Sequence, residues 1–527
     1  MQKSFFSTLL ALLLSMQFSM AQSYVVSGIE KTDKEGMQYE VLGKVANHYW
    51  VFKKNGANAT IAQYNEQMQL VKQNDLSFLP ASMSSIEFVA YPNKVIALFQ
   101  YQINTTVYAA FAELNSEGQL VAEPRIIDTV EKIRPGSDAK VFNLLLSEDR
   151  QKISLFTVNT TQAAAIKVKV ISLNANFENI NEASISINSN SKKSSLSDFA
   201  LDNNGNLLCL RNTKQDGSAP AVSLLYLSAN GAEVIESQII NNTLLLDDVR
   251  LKIDNKLGHV ILNSFYATSK KGNVEGLYSY VWDLSAKKEL ATTANRFTDA
   301  IKAAVSSKRN LKDAFDEFYF DKIITQADGS FVVVAEAASS YSNRTAFSRW
   351  DYFWGGPFYN PFMFNYWNRP FGFYPWTRFG FGFGMSPWSY GWGTWMNPYA
   401  SFGYPSVTYK ANKVALISMD VKGNVTGIKT IDKVQSDENV DEFIGYGTIE
   451  NTNGTSFVYY KKQSGIRQLV LNTLTKEGAL AKGSAIILQE KRYEWMPRML
   501  KQVGENEAIL PYQYKDKIGF AKIKINN

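Results

Sequence analysis

Phe331-Val-Val-Val-Ala-Glu336, entered from Tyr319-Phe-Asp-Lys-Ile-Ile324 through the turn Ala327-Asp-Gly329, reads as two strands of a β-hairpin. Short apolar runs of this kind give a strand a core-facing side, and Gly329 supplies the positive φ that a tight hairpin requires. The partner strand, Lys413-Val-Ala-Leu-Ile-Ser418, arrives only after a long interruption. It then passes through Val421-Lys-Gly423 into a fourth strand over 425–431.

Outward from this hairpin the same unit recurs at about 45–60 residues, the period of propeller blades rather than of helical solenoids. Upstream, Tyr49-Trp-Val-Phe52 pairs with Thr60-Ile-Ala-Gln-Tyr64. A second unit holds Ser85-Ile-Glu-Phe-Val89, Val95-Ile-Ala-Leu-Phe99 and Val107-Tyr-Ala-Ala-Phe111. A third spans 141–146, 153–158 and 166–173. The fourth turns at Asn203-Asn-Gly205 between Phe199-Ala-Leu201 and Leu207-Leu-Cys-Leu210, and the fifth opens with Val249-Arg-Leu-Lys-Ile253. Within 299–315 the spacing of Ile301, Val305, Leu311 and Phe315 predicts a short helix capping the next blade. Downstream lies a seventh unit from 443, and an eighth beginning near Arg498-Met-Leu500 and ending over 519–525.

The eighth unit lacks a last strand, and Tyr24-Val-Val26 can supply it, closing the ring and leaving no open sheet edge. The expected fold is all-β: a single propeller of about eight blades, seven being the alternative, each of four antiparallel strands. These blades resemble the secreted β-propeller-like repeat proteins of Gram-negative bacteria that carry Asp-Gly-x-Phe-x-Val-x-Ala-Glu. The match is Asp328-Gly-Ser-Phe-Val-Val-Val-Ala-Glu336, followed by the turn Asp420-Val-Lys-Gly-Asn424. The resemblance covers 39–525 without the interruption and implies a repeat fold, with no activity attached to it.

The interruption departs from the blade pattern. Between Trp350 and Tyr409 stand seven of the ten tryptophans and only three charged residues, Asp351, Arg369 and Arg378. Aromatics alternate with Gly, Pro and Asn, and seven prolines from Pro357 to Pro405 preclude a long helix or a central strand. Three readings compete: a low-complexity loop packed loosely on the propeller, a contact surface for a partner, and shallow insertion at a membrane interface. Tyr, Trp and Phe each remove about 150–250 Å² from water when buried, so a few can anchor an interface. The candidate binding residues are Trp350, Trp354, Tyr366, Trp367, Trp376, Trp388, Trp392 and Trp395. Trp and Tyr also stack on sugars, so a cell-surface glycan or an envelope protein fits as partner. For peripheral membrane contact, Arg349, Arg369 and Arg378 would reach headgroups. Four segments are thus expected: a signal peptide over 1–21, blades over 22–340, the aromatic insertion over 341–409 and closing blades over 410–527.

Lys3, the apolar run from Phe5 to Met16 and Ser19-Met-Ala21 compose a secretory signal, with Gln22 the mature start. This places the protein in the periplasm, on the outer-membrane surface or outside the cell. No later run reaches the ~20 apolar residues of a membrane span. Removing Lys3 from 55 basic residues leaves 54 against 49 acidic, a net +5 spread without a Lys/Arg run, which gives nucleic-acid binding no support. Cys209 is the sole cysteine, so no internal disulfide forms, and within Leu207-Leu-Cys-Leu210 it reads as buried filler.

Reaction chemistry is sparse. His48 and His259 are the only histidines, each in or beside a strand, and zinc-ligand spacing is absent. Phe379-Gly-Phe-Gly-Phe-Gly384 has no following Lys-Ser/Thr and is no phosphate loop. Asp202-Asn-Asn-Gly-Asn206 reads as a hairpin turn rather than a calcium loop. Acids cluster at Asp247-Asp248, at Asp313 with Asp316-Glu317, and at Asp437-Glu438 with Asp441-Glu442. A carbohydrate-active enzyme would need such a pair facing across a propeller mouth. The expectation is a non-catalytic binding or assembly scaffold without a cofactor or metal, with that enzyme and a membrane-interface envelope protein as alternatives.

Overall fold

The computed structural model describes residues 23–525, apart from 342–407 and the stretches 33–36, 56–57, 135–140, 161–163, 189–193, 214–220, 240–243, 270–271, 307–309, 439–442, 464 and 490–491. Eight antiparallel sheets follow one another along the chain as the blades of a propeller. The first strands of blades 1 to 7 are Met37–Val45, Met83–Tyr91, Asn143–Leu146, Ser194–Leu201, Leu245–Asp254, Phe318–Thr325 and Gly447–Asn451, each followed in order by three neighbours. First strands touch those of adjacent blades, whereas the fourth strands alternate exposed and covered residues. The first strands therefore surround the axis and the fourth form the rim.

Apolar residues gather in eight slabs, one between each pair of adjacent blades, rather than in one central core. Leu42, Trp50 and Phe52 of blade 1 meet Ile86 and Phe99 of blade 2 in one slab. Val332, Val334 and Leu416 of blade 6 meet Phe457 and Tyr459 of blade 7 in another. Each sheet buries both faces this way, which is why alternation is blurred in the second and third strands.

The turns between third and fourth strands share one construction. In five blades the side-chain oxygen of Asn65, Asn115, Asn174, Asp202 or Asp420 accepts the backbone N–H of the residues two and four further on; at Asp202 the turn joins the first and second strands instead. The fourth residue takes positive φ, which Gly205 (89°) and Gly423 (80°) adopt without strain. The Asp202 segment is thus a hairpin turn. Helix Asp299–Val305 starts at Thr298, whose hydroxyl accepts Ile301 N–H, and sends Val305 into the slab between blades 5 and 6.

Blade 8 is built from both ends of the chain. Glu507–Tyr514 and Lys517–Lys524 form its middle, the short strands Glu494–Trp495 and Lys501–Gln502 lie inside, and Ser23–Val26 pairs on the outside with Ser23 opposite Lys524. Arg498-Met-Leu500, expected as a strand, instead belongs to the 3-10 turn Pro497–Met499, because Pro497 has no N–H to donate to a ladder. Blade 7 likewise begins at Gly447 rather than 443, after Gly445 at φ 93°.

Polar contacts fasten the junction of blades 8 and 1. Tyr512 donates to Ser27 O (2.7 Å), and Glu30 accepts from Lys53 and from Tyr64 (3.2 Å). Glu66 receives Lys44 (2.6 Å), Lys522 (2.5 Å) and Tyr49 (2.9 Å). Burial alone would raise the Glu66 carboxyl, but those hydrogen bonds outweigh it and hold the group at about 2.

Cys209 is fully buried in the slab between blades 3 and 4, and burial pushes its thiol well above the usual range. The native protein should leave a thiol reagent unreacted, and one equivalent should react once denaturant unfolds the chain. Rapid labelling of the native protein would contradict this packing.

Candidate functional site

The ring gathers charges that lie hundreds of residues apart. In blade 1, alternation sends Met37, Tyr39 and Val41 into the slab shared with blade 8 and leaves Glu40 half-buried. Blade 7 buries Ile449 and half-buries Glu450; blade 5 buries Ile253 and half-buries Lys252. Lys322 of blade 6 and Lys501 of blade 8 come from first-strand positions, and Glu148 and Arg150 from the first turn of blade 3.

Burial and neighbouring charges shift two of these groups. Glu450 is raised above the ordinary carboxylate range, chiefly by burial; Lys322 and Lys252 oppose the shift and Glu148 adds to it. Lys501 is lowered, again chiefly by burial, with Glu40 opposing and Arg150 adding. Blades 3 and 7, which carry Glu148 and Glu450, stand half a turn apart in an eight-membered ring. Arg150 is exposed to solvent, yet burial lowers its guanidinium while Tyr91 opposes the shift.

Hydrogen bonds tie neighbouring blades to one another at these residues. Lys322 Nζ donates to Thr448 Oγ1 (2.8 Å) and Asn255 Nδ2 to Glu148 Oε2 (2.8 Å). Asn255 Oδ1 accepts Asn203 N–H (2.9 Å), and Asn203 Oδ1 accepts Asp149 N–H (3.2 Å), linking the first turns of blades 3, 4 and 5. Gln502 exchanges two bonds with the Glu450 backbone (2.6 and 2.9 Å), joining blades 7 and 8. Carboxylates, amines and a guanidinium held in this way are suited to binding charge.

A second charged cluster is closed to solvent. Glu336 of blade 6 accepts from Lys433 and, at 3.3 Å, from Arg498 of blade 8, while Tyr446 donates to Asp321. Lys433 is 0% exposed and burial lowers its amine to about 8 despite Glu336. Arg498 crosses beneath the start of blade 7, where Gly445 and Gly447 leave room: a Cβ on Gly445 would lie 2.0 Å from Arg498 Nε. This cluster welds three blades together and offers no surface.

All eight aromatic candidates, Trp350, Trp354, Tyr366, Trp367, Trp376, Trp388, Trp392 and Trp395, lie outside the described residues. The strands flanking them are described: Phe331–Tyr341 pairs with Thr408–Met419 in register out to Tyr341 opposite Thr408. Of the acids picked out in the sequence, Asp441 and Glu442 lie outside the described residues. Asp316 fastens a loop by accepting Val274 N–H (2.8 Å) and Asn273, and Asp437 accepts Glu438 N–H (2.8 Å). His48 faces Ala46 O (3.1 Å) at a turn. Among the described residues no group of three His, Cys, Asp or Glu could hold a metal, and no helix is long and apolar enough to cross a membrane.

No protein-family model matches the sequence, and no curated protein matches it. Solved structures are similar in fold only. A prolyl endopeptidase aligns with 92% of this chain at 7% identity and TM-score 0.38. Prolyl oligopeptidase B of Galerina marginata aligns with 92% at 8% identity and TM-score 0.40. Synechocystis apocarotenoid oxygenase aligns with 60% at 8% identity and TM-score 0.29. This chain spans 55% and 56% of the length of the first two. The eight successive sheets themselves make the chain an eight-bladed β-propeller.

Proposed function

We propose that this propeller is an exported, non-catalytic scaffold that binds an envelope protein or a cell-surface glycan through the aromatic segment over 350–409. One observation carries the reading. Blade 6 pairs completely up to Tyr341 and Thr408, so residues 342–407 are surplus to the sheet that bears them. Lengthening a connection costs little, about 0.6 kcal/mol per doubling, and the strand pairing of blade 6 does not call on the aromatic residues between Tyr341 and Thr408. The apolar run from Phe5 to Met16 and the small-residue pattern Ser19-Met-Ala21 support export.

The test is deletion of 351–406 with a short Gly/Ser linker. The variant is expected to keep the unfolding midpoint to within about 0.5 kcal/mol and to lose retention by envelope extract or glycan arrays. Full retention would overturn the proposal. Lipid vesicles separate the membrane reading. Trp50, Trp282 and Trp495 are all 0% exposed, so a blue shift of tryptophan fluorescence on adding vesicles would report the segment.

A further inference from the structure

Blade 8 breaks two local rules where its second strand turns into its third. Lys31 stands directly opposite Lys517, which in turn stands opposite Tyr514. Like charges set directly opposite weaken strand pairing, so the stability of the sheet does not account for that pair. In the two-residue turn between Tyr514 and Lys517, Lys515 takes φ 54°, a conformation for which Asn, Asp or Gly is the ordinary choice. Departures of this kind from local preference gather at functional sites. Arg492 reaches the same place, donating from Nη1 to the Tyr514 hydroxyl (3.4 Å), and Lys515 Nζ lies 5.6 Å from the centre of the Tyr514 ring. That hydrogen bond, joined by the charges of Lys515, Arg492 and Lys517, holds the Tyr514 hydroxyl below its ordinary range. Tyr493 stacks on Tyr512 (4.5 Å) and packs on Tyr514 (5.9 Å), which fixes Arg492 and the turn relative to each other.

Arg492, Lys515 and Lys31 are exposed, and Lys517 and Tyr514 are half-buried. The neighbouring acids are engaged elsewhere, Glu494 with Arg467 (2.8 Å) and Glu30 with Lys53. Asp516 is the one acid in the turn, and among the described residues none of the four cations is in an ion pair. Neighbouring strands lie about 4.8 Å apart, so Tyr514, Lys517 and Lys31 form a row about 10 Å long. Such a row outruns a single small anion and suits a chain that bears negative groups at intervals. The turn joins the second and third strands of blade 8, as the aromatic segment does in blade 6, so both leave from the same end of the ring. We propose that Arg492, Lys515, Lys517 and Lys31, gathered around Tyr514, bind an acidic glycan. Arg492 is the group shaped to take a carboxylate in two bonds, and the lysines serve as point charges along the row. The partner class rests on the reading of the aromatic segment above; the charge that the glycan carries rests on these cations.

Isothermal titration of the full chain with polygalacturonate tests this. The polymer should bind, more weakly as salt is raised, and neutral dextran should not. Arg492→Gln combined with Lys517→Gln should weaken binding about tenfold or more, with the melting temperature unchanged or raised. Lys256→Gln, Lys422→Gln and Lys476→Gln together remove more charge, from exposed turns at the other end of the ring. That variant should keep its affinity to within about twofold. Absence of polygalacturonate binding, unchanged binding by the patch variant, or equal losses in both variants would each overturn the proposal. So would equal or tighter binding of double-stranded DNA, or binding to vesicles of phosphatidylcholine and phosphatidylglycerol without binding to the polymer. The chain lacking 351–406 separates this proposal from the one above. Patch-dependent binding that survives the deletion supports the patch and counts against the segment, whereas binding lost on deletion and untouched by the patch changes overturns the patch alone.

Discussion

Replacing Glu336 by alanine should destabilise the protein by about 3–5 kcal/mol, the range for breaking a buried charge pair from one side. The residue is 9% exposed and neutralises two cations, Lys433 at 0% and Arg498 at 9% exposure. Removing it takes this carboxylate away from both in a buried site. Lys433→Met should be far milder, within about 1 kcal/mol, because Glu336 keeps Arg498 and a methionine fills the same volume. Urea titrations of the two variants decide the matter. If Glu336→Ala lost no more than Lys433→Met, the cluster would not be the weld between blades 6, 7 and 8 described above.

Removing residues 23–31 should be at least as damaging. Tyr24, Val26 and Ile29 pack on the slab between blades 7 and 8, with Tyr24 edge-on to Trp495 at 5.8 Å. Three such side chains account for about 4 kcal/mol even at partial burial. The deletion also leaves Lys53, 3% exposed, without Glu30 and bares the edge of Lys517–Lys524 to other chains. The expected result is a lowered melting temperature with concentration-dependent aggregation. A synthetic peptide covering 22–32, added in trans, should restore both. A truncated protein that melts like the full chain would show that the ring holds without this strand.

The blades were legible because their signals are local. Asn203-Asn-Gly205 and Asp328-Gly329 announce their turns, and apolar runs such as Phe331-Val-Val-Val mark strands buried on both faces. Ring closure was legible because Tyr24-Val-Val26 had no other partner and the last unit was short of a strand. The axial site was not. Glu40 and Lys252 each occupy a half-buried position beside apolar neighbours in an ordinary strand, and only the ring sets their blades beside others distant in sequence. Arg498 escaped notice for the same reason. It meets Glu336 across 162 positions of sequence, and the turn that carries it was read as a strand.

The pairing of Ser23 with Lys524 also sets a clock. The strand made first must wait beside an unfinished arc until the strand made last has formed, so closure is the final event of folding. Contacts of that sequence separation are slow to find. Until then the open ends expose two unpaired edges, and a chaperone or translocation partner would meet an arc rather than a disc.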